Sequence, residues 1–386
     1  MNPKALTEYH KAQEDTMKQL SIMLKPASSL CNLRCRYCFY ADVAELRQVR
    51  SFGVMTPQTT RQILQNIRKD LSPGDRITFA FQGGEPTLAG LPYFEDFTAQ
   101  VEQWSGIQVQ YALQTNATLL DDAWCAFLKK YHFLVGVSWD ILPQCHDEAR
   151  VDASGAGTNR SVLNAIGLLN KWGVEYNVLC TLTNFVARHP NQVWNQLARQ
   201  DIRFVQFTPC LDELEAPGES AYALTPERFA SFYDRIFDLW YEDFLRDRYR
   251  SVKLIDDLVN LLAYGMPTAC GITGQCIPQL VVESDGSVYP CDFYCTDEYR
   301  MGNLAISSLR EIFDSPIRAA FPQRPHRQPW LCASCEFASI CGGNCKRMQR
   351  QICCGPEDSV CGYRVFLQKH IHQLQHIALR QRQYRR

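Results

Sequence analysis

The sequence predicts an α/β protein: an open, partial (β/α)6 barrel followed by a cysteine-rich C-terminal region. Three observations predict it. Between residue 21 and about residue 211, short apolar runs alternate with amphipathic stretches, the pattern of parallel βα units joined by right-handed crossovers. Polar motifs stand where four successive apolar runs end, and in βα folds those ends face the ligand. Eleven of the eighteen cysteines fall into two groups, one near the N-terminus and one beyond residue 269.

Residues 1–20 are polar and mixed in charge, without the apolar core of a signal peptide, and read as an N-terminal extension. The strand-like runs are 21–25, 76–82, 108–114, 133–140, 174–181 and 202–209. Helical patterns lie between them, at 57–71, 121–130, 158–172 and 190–199. Six βα units over 21–215 suggest an open barrel. Periodicity alone leaves a doubly wound sheet as the alternative. A helical connector occupies 216–265, with its pattern strongest over 225–264. Asp285-Gly286 between apolar flanks then signals a hairpin over 280–289. The cysteine-rich region spans 266–365. The tail, 366–386, reads as a helix whose basic end (Arg380, Arg382, Arg385, Arg386) suits the helix dipole.

The net charge of −1 gives no electrostatic case for nucleic acid or an acidic membrane. No apolar run approaches the roughly 20 residues of a membrane span. A cytoplasmic protein is expected, and there disulfides are uncommon, so metal ligation is the better use for so many cysteines.

Cys31, Cys35 and Cys38 form a CxxxCxxC motif after the first strand. Three thiolates on a tight loop can hold three irons of a four-iron cluster and leave the fourth without a protein ligand. A zinc knuckle would want four ligands, and no nearby His or fourth Cys is present. Gln82-Gly83-Gly84-Glu85-Pro86 ends the second strand, Gln114-Thr115-Asn116 the third and Ser138-Trp139-Asp140 the fourth. A Gly-Gly-Glu alone is only a turn. Beside the cysteine triplet it gains meaning.

Together these motifs resemble the radical S-adenosylmethionine superfamily. The resemblance implies a 4Fe–4S cluster on Cys31, Cys35 and Cys38 whose open iron chelates S-adenosylmethionine, and a 5′-deoxyadenosyl radical formed by reductive cleavage. It implies that Gly83 and Gly84 let backbone groups approach the methionyl ammonium, with Glu85 as an anionic partner. By position in the motifs, Tyr37 would lie near adenine, Ser138 and Arg150 would contact ribose and carboxylate, and Leu211 would pack on the adenine. Cys270, Cys276, Cys291, Cys332, Cys335, Cys341, Cys345 and Cys361 resemble the SPASM domain, which binds two auxiliary 4Fe–4S clusters. One cluster would take Cys270, Cys276, Cys291 and Cys345, the other Cys332, Cys335, Cys341 and Cys361. Taken alone, the 332–345 segment also reads as a zinc ribbon.

Asp292, directly after Cys291, narrows the resemblance to the anaerobic sulfatase-maturating enzymes, which oxidise a Cys or Ser side chain of a sulfatase to formylglycine. Oxidising a –CH2–XH group removes a hydrogen atom, a proton and an electron. A carboxylate, with an ordinary pKa of about 3.9, can accept the proton, and the resemblance gives that role to Asp292. Tyr40, Gln82, Gln114 and Asn116 would face the substrate. The implied partners are a protein or peptide substrate and an electron donor such as flavodoxin or ferredoxin.

Two departures stand out. Family members usually have glycine where this chain has Ala117 and Ile141. Since non-glycine residues resist positive φ, the adjoining turns are expected to change. Two rival readings remain: a radical enzyme that cross-links or epimerises a ribosomal peptide, and a zinc-rich scaffold. Cys125 and Cys180 sit in apolar patterns and are read as core, Cys353 and Cys354 as solvent-near. Cys145, Cys210 and Cys295 carry no assigned role.

Overall fold

The computed structural model describes residues 18–218, 220–323, 329–354 and 360–384. Residues 1–17 of the expected N-terminal extension lie outside these, as do Arg385 and Arg386 of the basic tail.

Six parallel strands follow one another in space as in sequence: β1 (Gln19–Leu24), β2 (Arg76–Phe81), β3 (Gln108–Thr115), β4 (Leu134–Ser138), β5 (Tyr176–Leu182) and β6 (Phe204–Pro209). Each pairs in parallel with the next. A doubly wound sheet reverses its strand order at a switch point. This order never reverses across the six strands, so the barrel alternative holds. Burial agrees. Ile77, Phe79 and Phe81 of β2 are buried, while Arg76, Thr78 and Ala80 between them remain partly exposed. A parallel sheet covered on both faces would bury both sets. Here one face packs on helices and the other lines an open interior.

The covering helices begin at side-chain caps. Thr56 Oγ1 accepts the Thr59 N–H at 3.1 Å at the head of Pro57–Lys69, and Asp121 Oδ1 accepts the Trp124 N–H at 2.9 Å at the head of Asp122–Lys130. Such caps contribute about 1 kcal/mol each. Behind β2 the core is aromatic: Phe81 lies 4.9 Å from Phe94 and 5.0 Å from Phe97, which also meets Phe79 at 5.0 Å. Edge-on pairs of this kind add roughly 0.5–1.5 kcal/mol beyond burial.

The expected helix over 225–264 is two helices, Pro226–Leu245 and Lys253–Tyr264. The polar run Arg246-Asp247-Arg248 cannot continue the apolar stripe, and Asp247 turns the chain at φ +54°. The chain then adds β7 (Ser251–Val252) beyond β6. The C-terminal helix, Gly362–Tyr384, packs on this pair; His370 stacks 4.3 Å from Phe237 and holds Asp234 at 2.8 Å.

The hairpin forms as β8 (Leu280–Val282) and β9 (Ser287–Tyr289). Its sequence does not show where it docks. β8 pairs in parallel with β1, Ile22 opposite Leu280, so the hairpin extends the barrel sheet. Cys291 and Asp292 follow β9 and are thereby delivered beside the end of β1. This pairing builds the site described next.

Cys125 and Cys180 are buried. Cys353 and Cys354, expected near solvent, are buried too. The backbones of Cys354 and Cys361 pair in an isolated antiparallel β-bridge, and the Gly362 N–H donates to Cys353 O at 2.9 Å, which ties both to the start of the C-terminal helix. Among the described residues no helix is long and apolar enough to cross a membrane.

Candidate active site

The loop after β1 carries Cys31, Cys35 and Cys38, and Cys38 opens the helix Phe39–Glu45. Cys31 Sγ accepts the Leu33 N–H at 3.4 Å, and Cys38 N–H donates to Cys35 O at 3.2 Å. Burial, together with the neighbouring thiols, pushes Cys31 up to about 11 and Cys35 up to about 12. Sulfurs so placed ionise against a compensating cation, as metal ligation provides. Among the described residues no three His, Cys, Asp or Glu side chains converge on a single-ion site. The cysteines border cavities.

One cavity contains the triplet. Tyr37, Tyr40, Gln82, Gly83, Gly84, Glu85, Gln114, Asn116, Ser138, Arg150 and Leu211 all line it. A second cavity, of about 490 Å³, is lined by Cys270, Cys276, Cys291, Cys345 and Asp292. Seven residues line both, among them Phe39, Gln82, Gln114 and Phe293. A third is lined by Cys332, Cys335, Cys341 and Cys361, with Cys353 beside them. The eight downstream sulfurs therefore sort into the same two groups of four as the expected ligand sets.

The contacts differ from the expectations in detail. Gly83 (φ +89°) and Gly84 (φ +47°) are required by the chain itself. A Cβ on Gly84 would stand 2.2 Å from Leu30 O, and one on Gly83 would stand 2.6 Å from Lys25 Cγ. Glu85 is buried and heavily used: Oε1 accepts from the Thr87 N–H and hydroxyl and the Thr115 hydroxyl, and Oε2 from the Asn116 N–H at 2.7 Å. It ties the ends of β2 and β3 together. Burial raises its pKa against these four donors.

Tyr37 donates its hydroxyl to Asp140 Oδ2, and the Arg150 guanidinium lies 5.4 Å from its ring. Arg150 in turn binds Asp140 at 3.0 and 3.3 Å and Thr181 Oγ1 at 3.1 Å. Asp140 is thus the hub of this wall. Sequence reasoning quoted it in a motif without giving it a role; an aspartate at the mouth end of an apolar strand was the available signal.

Asp292 sits on the opposite wall. Its Oδ2 accepts from Tyr40 Oη at 2.5 Å and Gln82 Nε2 at 3.1 Å, while Oδ1 lies 3.0 Å from Lys25 Nζ. The expected base and two expected substrate-facing residues form one network. Lys25 was missed. An ionisable residue closing an apolar strand was the sign.

Where family members usually have glycine, Ala117 and Ile141 adopt φ +62° and +66°, a left-handed conformation that side chains resist. That conformation costs roughly 1–2 kcal/mol per non-glycine residue. Ile141 is fully buried, and burying isoleucine contributes about 1.5–3 kcal/mol, which outweighs the strain. The methyl of Ala117 offsets it only in part. Ile141→Gly should therefore lower stability by about 1–3 kcal/mol, while Ala117→Gly should change it by less than about 1 kcal/mol. Denaturant unfolding of both variants checks the contrast.

Comparison with known proteins settles the family. The Radical SAM superfamily model matches residues 26–190, and SPASM, an iron-sulfur cluster-binding domain, matches 275–336. The chain is 38% identical to a cysteine-type anaerobic sulfatase-maturating enzyme of Clostridium novyi, over 94% of this chain and 98% of that one. The chain belongs to the anaerobic sulfatase-maturating enzymes. A serine-type member of this family from Bacteroides thetaiotaomicron is 28% identical over 86% of this chain and 83% of its own. Among solved structures, native anSMEcpe with bound AdoMet and Cp18Cys peptide superposes with a TM-score of 0.85 at 36% identity, covering 94% of this chain and 99% of that one. The sulfatase-maturating family also fits the adjoining cavities, since one is lined by the cysteine triplet and the other by the Cys291–Asp292 pair.

Proposed function

We propose that this enzyme oxidises a cysteine or serine side chain, presented on an extended sulfatase segment, to formylglycine. One observation supports this most: the Cys31–Cys38 loop and Asp292 line adjoining cavities that share Gln82, and Gln82 and Tyr40 from the wall of the first bond Asp292 in the second. A cluster held by Cys31, Cys35 and Cys38, with S-adenosylmethionine bound, supplies the one-electron chemistry that removes a hydrogen atom from an unactivated carbon.

The protein's own residues do the rest. Tyr37, Arg150 and Ser138 offer a ring face, a fixed cation and a hydroxyl along one wall for the nucleoside, and Leu211 an aliphatic face. Gly83, Gly84 and Glu85 shape the floor. Asp140 holds Arg150 and Tyr37 in place. On the other wall Gln114, Asn116, Gln82 and Tyr40 orient the substrate, and Asp292 takes the thiol or hydroxyl proton at Oδ2. Cys270, Cys276, Cys291 and Cys345, which line the same cavity as Asp292, would hold an auxiliary cluster able to accept the remaining electron. Cys332, Cys335, Cys341 and Cys361 would hold the second, and a flavodoxin or ferredoxin would donate the electron that starts the reaction. In this division residues 21–215 house the radical chemistry, 216–265 connect, and 266–365 carry the auxiliary clusters. The cytoplasm, where thiols stay reduced, suits that cysteine content.

Anoxic incubation of the reconstituted enzyme with a Cys-x-Pro-x-Arg peptide and its serine counterpart tests the reading by product mass. Formylglycine from cysteine loses sulfur and gains a carbonyl oxygen. A product lacking only two hydrogens, with sulfur retained in a thioether, would instead make the enzyme a peptide cross-linker.

A further inference from the structure

Lys25 is the first residue beyond β1, and its ammonium group is buried where the barrel meets the hairpin region. Nζ lies 3.0 Å from Asp292 Oδ1, 3.8 Å from Glu283 Oε1 and 3.4 Å from Cys295 Sγ, and 4.8 Å from the centre of the Tyr40 ring. Glu283 has a second cation, Arg47, at 2.6 Å. The barrel side thus contributes two cations and the hairpin side two anions, all more than nine-tenths buried. Burial opposes the lysine charge, but Asp292, Cys295 and Glu283 outweigh it and hold its pKa above the ordinary value.

The position of this ammonium group is fixed from several directions. The Lys25 N–H donates to Val282 O at 2.8 Å, locking its backbone to β8. Its stem lies against Gly83, where any Cβ would clash at 2.6 Å. The two oxygens of Asp292 therefore have separate surroundings: Oδ1 meets Lys25, and Oδ2 meets Tyr40 and Gln82.

We propose that Lys25 is a positioning residue for the base: it clamps Asp292 Oδ1 and so keeps Oδ2 turned toward the substrate. The inference rests on Asp292 being the proton acceptor. Without the lysine Oδ1 loses its cation and only the Tyr40 and Gln82 hydrogen bonds orient the carboxylate, and the buried set drops from balanced charge to a net negative one.

The test is Lys25→Met in the reconstituted enzyme. Wild-type iron content and a peptide KM within about twofold of wild type are expected. Aldehyde formation should fall by about tenfold or more while cofactor cleavage continues, so more cofactor is cleaved per aldehyde. A purely structural role would lower cleavage and product together, and that result would overturn the proposal. Thermal unfolding gives a readout independent of turnover. Lys25→Met should lower Tm by roughly 5 °C, and adding Asp292→Asn should recover part of that loss by removing the uncompensated anion. Strictly additive losses would overturn the clamp. If Lys25→Met alone does not fold, Lys25→Met with Glu283→Gln keeps the formal balance and should show the same poor yield of aldehyde per cleavage; normal yield there overturns the proposal. Tight coupling in the Lys25 variants with inactive Asp292→Asn leaves the base intact and removes only the clamp. Full aldehyde formation by Asp292→Asn removes both.

Discussion

Asp292→Asn should retain all its iron and continue to cleave S-adenosylmethionine, yet form aldehyde about 10²–10⁴-fold more slowly, the usual contribution of a positioned base. Asparagine has the shape of aspartate: its oxygen can face Lys25 and its NH2 can donate to Tyr40 Oη, while Gln82 keeps its own bond to Tyr40, so the walls of the cavity are kept. What it cannot do is accept the proton of the substrate thiol or hydroxyl. Hydrogen-atom removal without that proton transfer leaves the oxidation incomplete. Chromatography with mass detection of both peptide and nucleoside products, under anoxia, reads the two rates side by side. Undiminished aldehyde in this variant would place the base elsewhere.

Cys38→Ala should have a larger and different effect. Its thiol is one of only three on the loop, and a four-iron cluster held by two thiolates is not retained. The variant should lose about four of about twelve irons and all cofactor cleavage. The contrast variant is Cys335→Ala, at the cavity of the second auxiliary set. It should lose a similar amount of iron but still cleave cofactor in a single turnover when given a chemical reductant. Iron analysis and nucleoside quantification separate the two cases. If Cys38→Ala kept cleavage, the reactive cluster would not be on this loop.

The parts of the molecule legible in the sequence were those written locally. The CxxxCxxC spacing, the Gly-Gly-Glu turn and the Asp-Gly hairpin each use residues close in the chain. Strand-to-helix alternation likewise located all six barrel strands to within a few residues. What stayed hidden was written across the chain. Lys25 and Cys295 are 270 residues apart, and no periodicity joins them. Asp140 became a hub only when Tyr37, Arg150 and Thr181 arrived from three other segments. The docking of β8 on β1 depends on an open sheet edge, which a hairpin signal does not reveal. Ala117 and Ile141 show tertiary packing overriding local preference. Their neighbours, Asn116 on Glu85 and Asp140 on Arg150, fix the turns, and Ile141 is held by the core behind it. Gly83 and Gly84 were legible as necessary, but the reason lay in the β1 loop packed against them.

The central claim is that two adjoining cavities take a hydrogen atom from the substrate β-carbon on one side and the thiol or hydroxyl proton on the other. A single turnover on a peptide whose target cysteine carries deuterium at both β-positions tests it most directly. The account predicts formylglycine retaining one deuterium and 5′-deoxyadenosine gaining one. Formylglycine formed while the nucleoside product stays free of deuterium would contradict it.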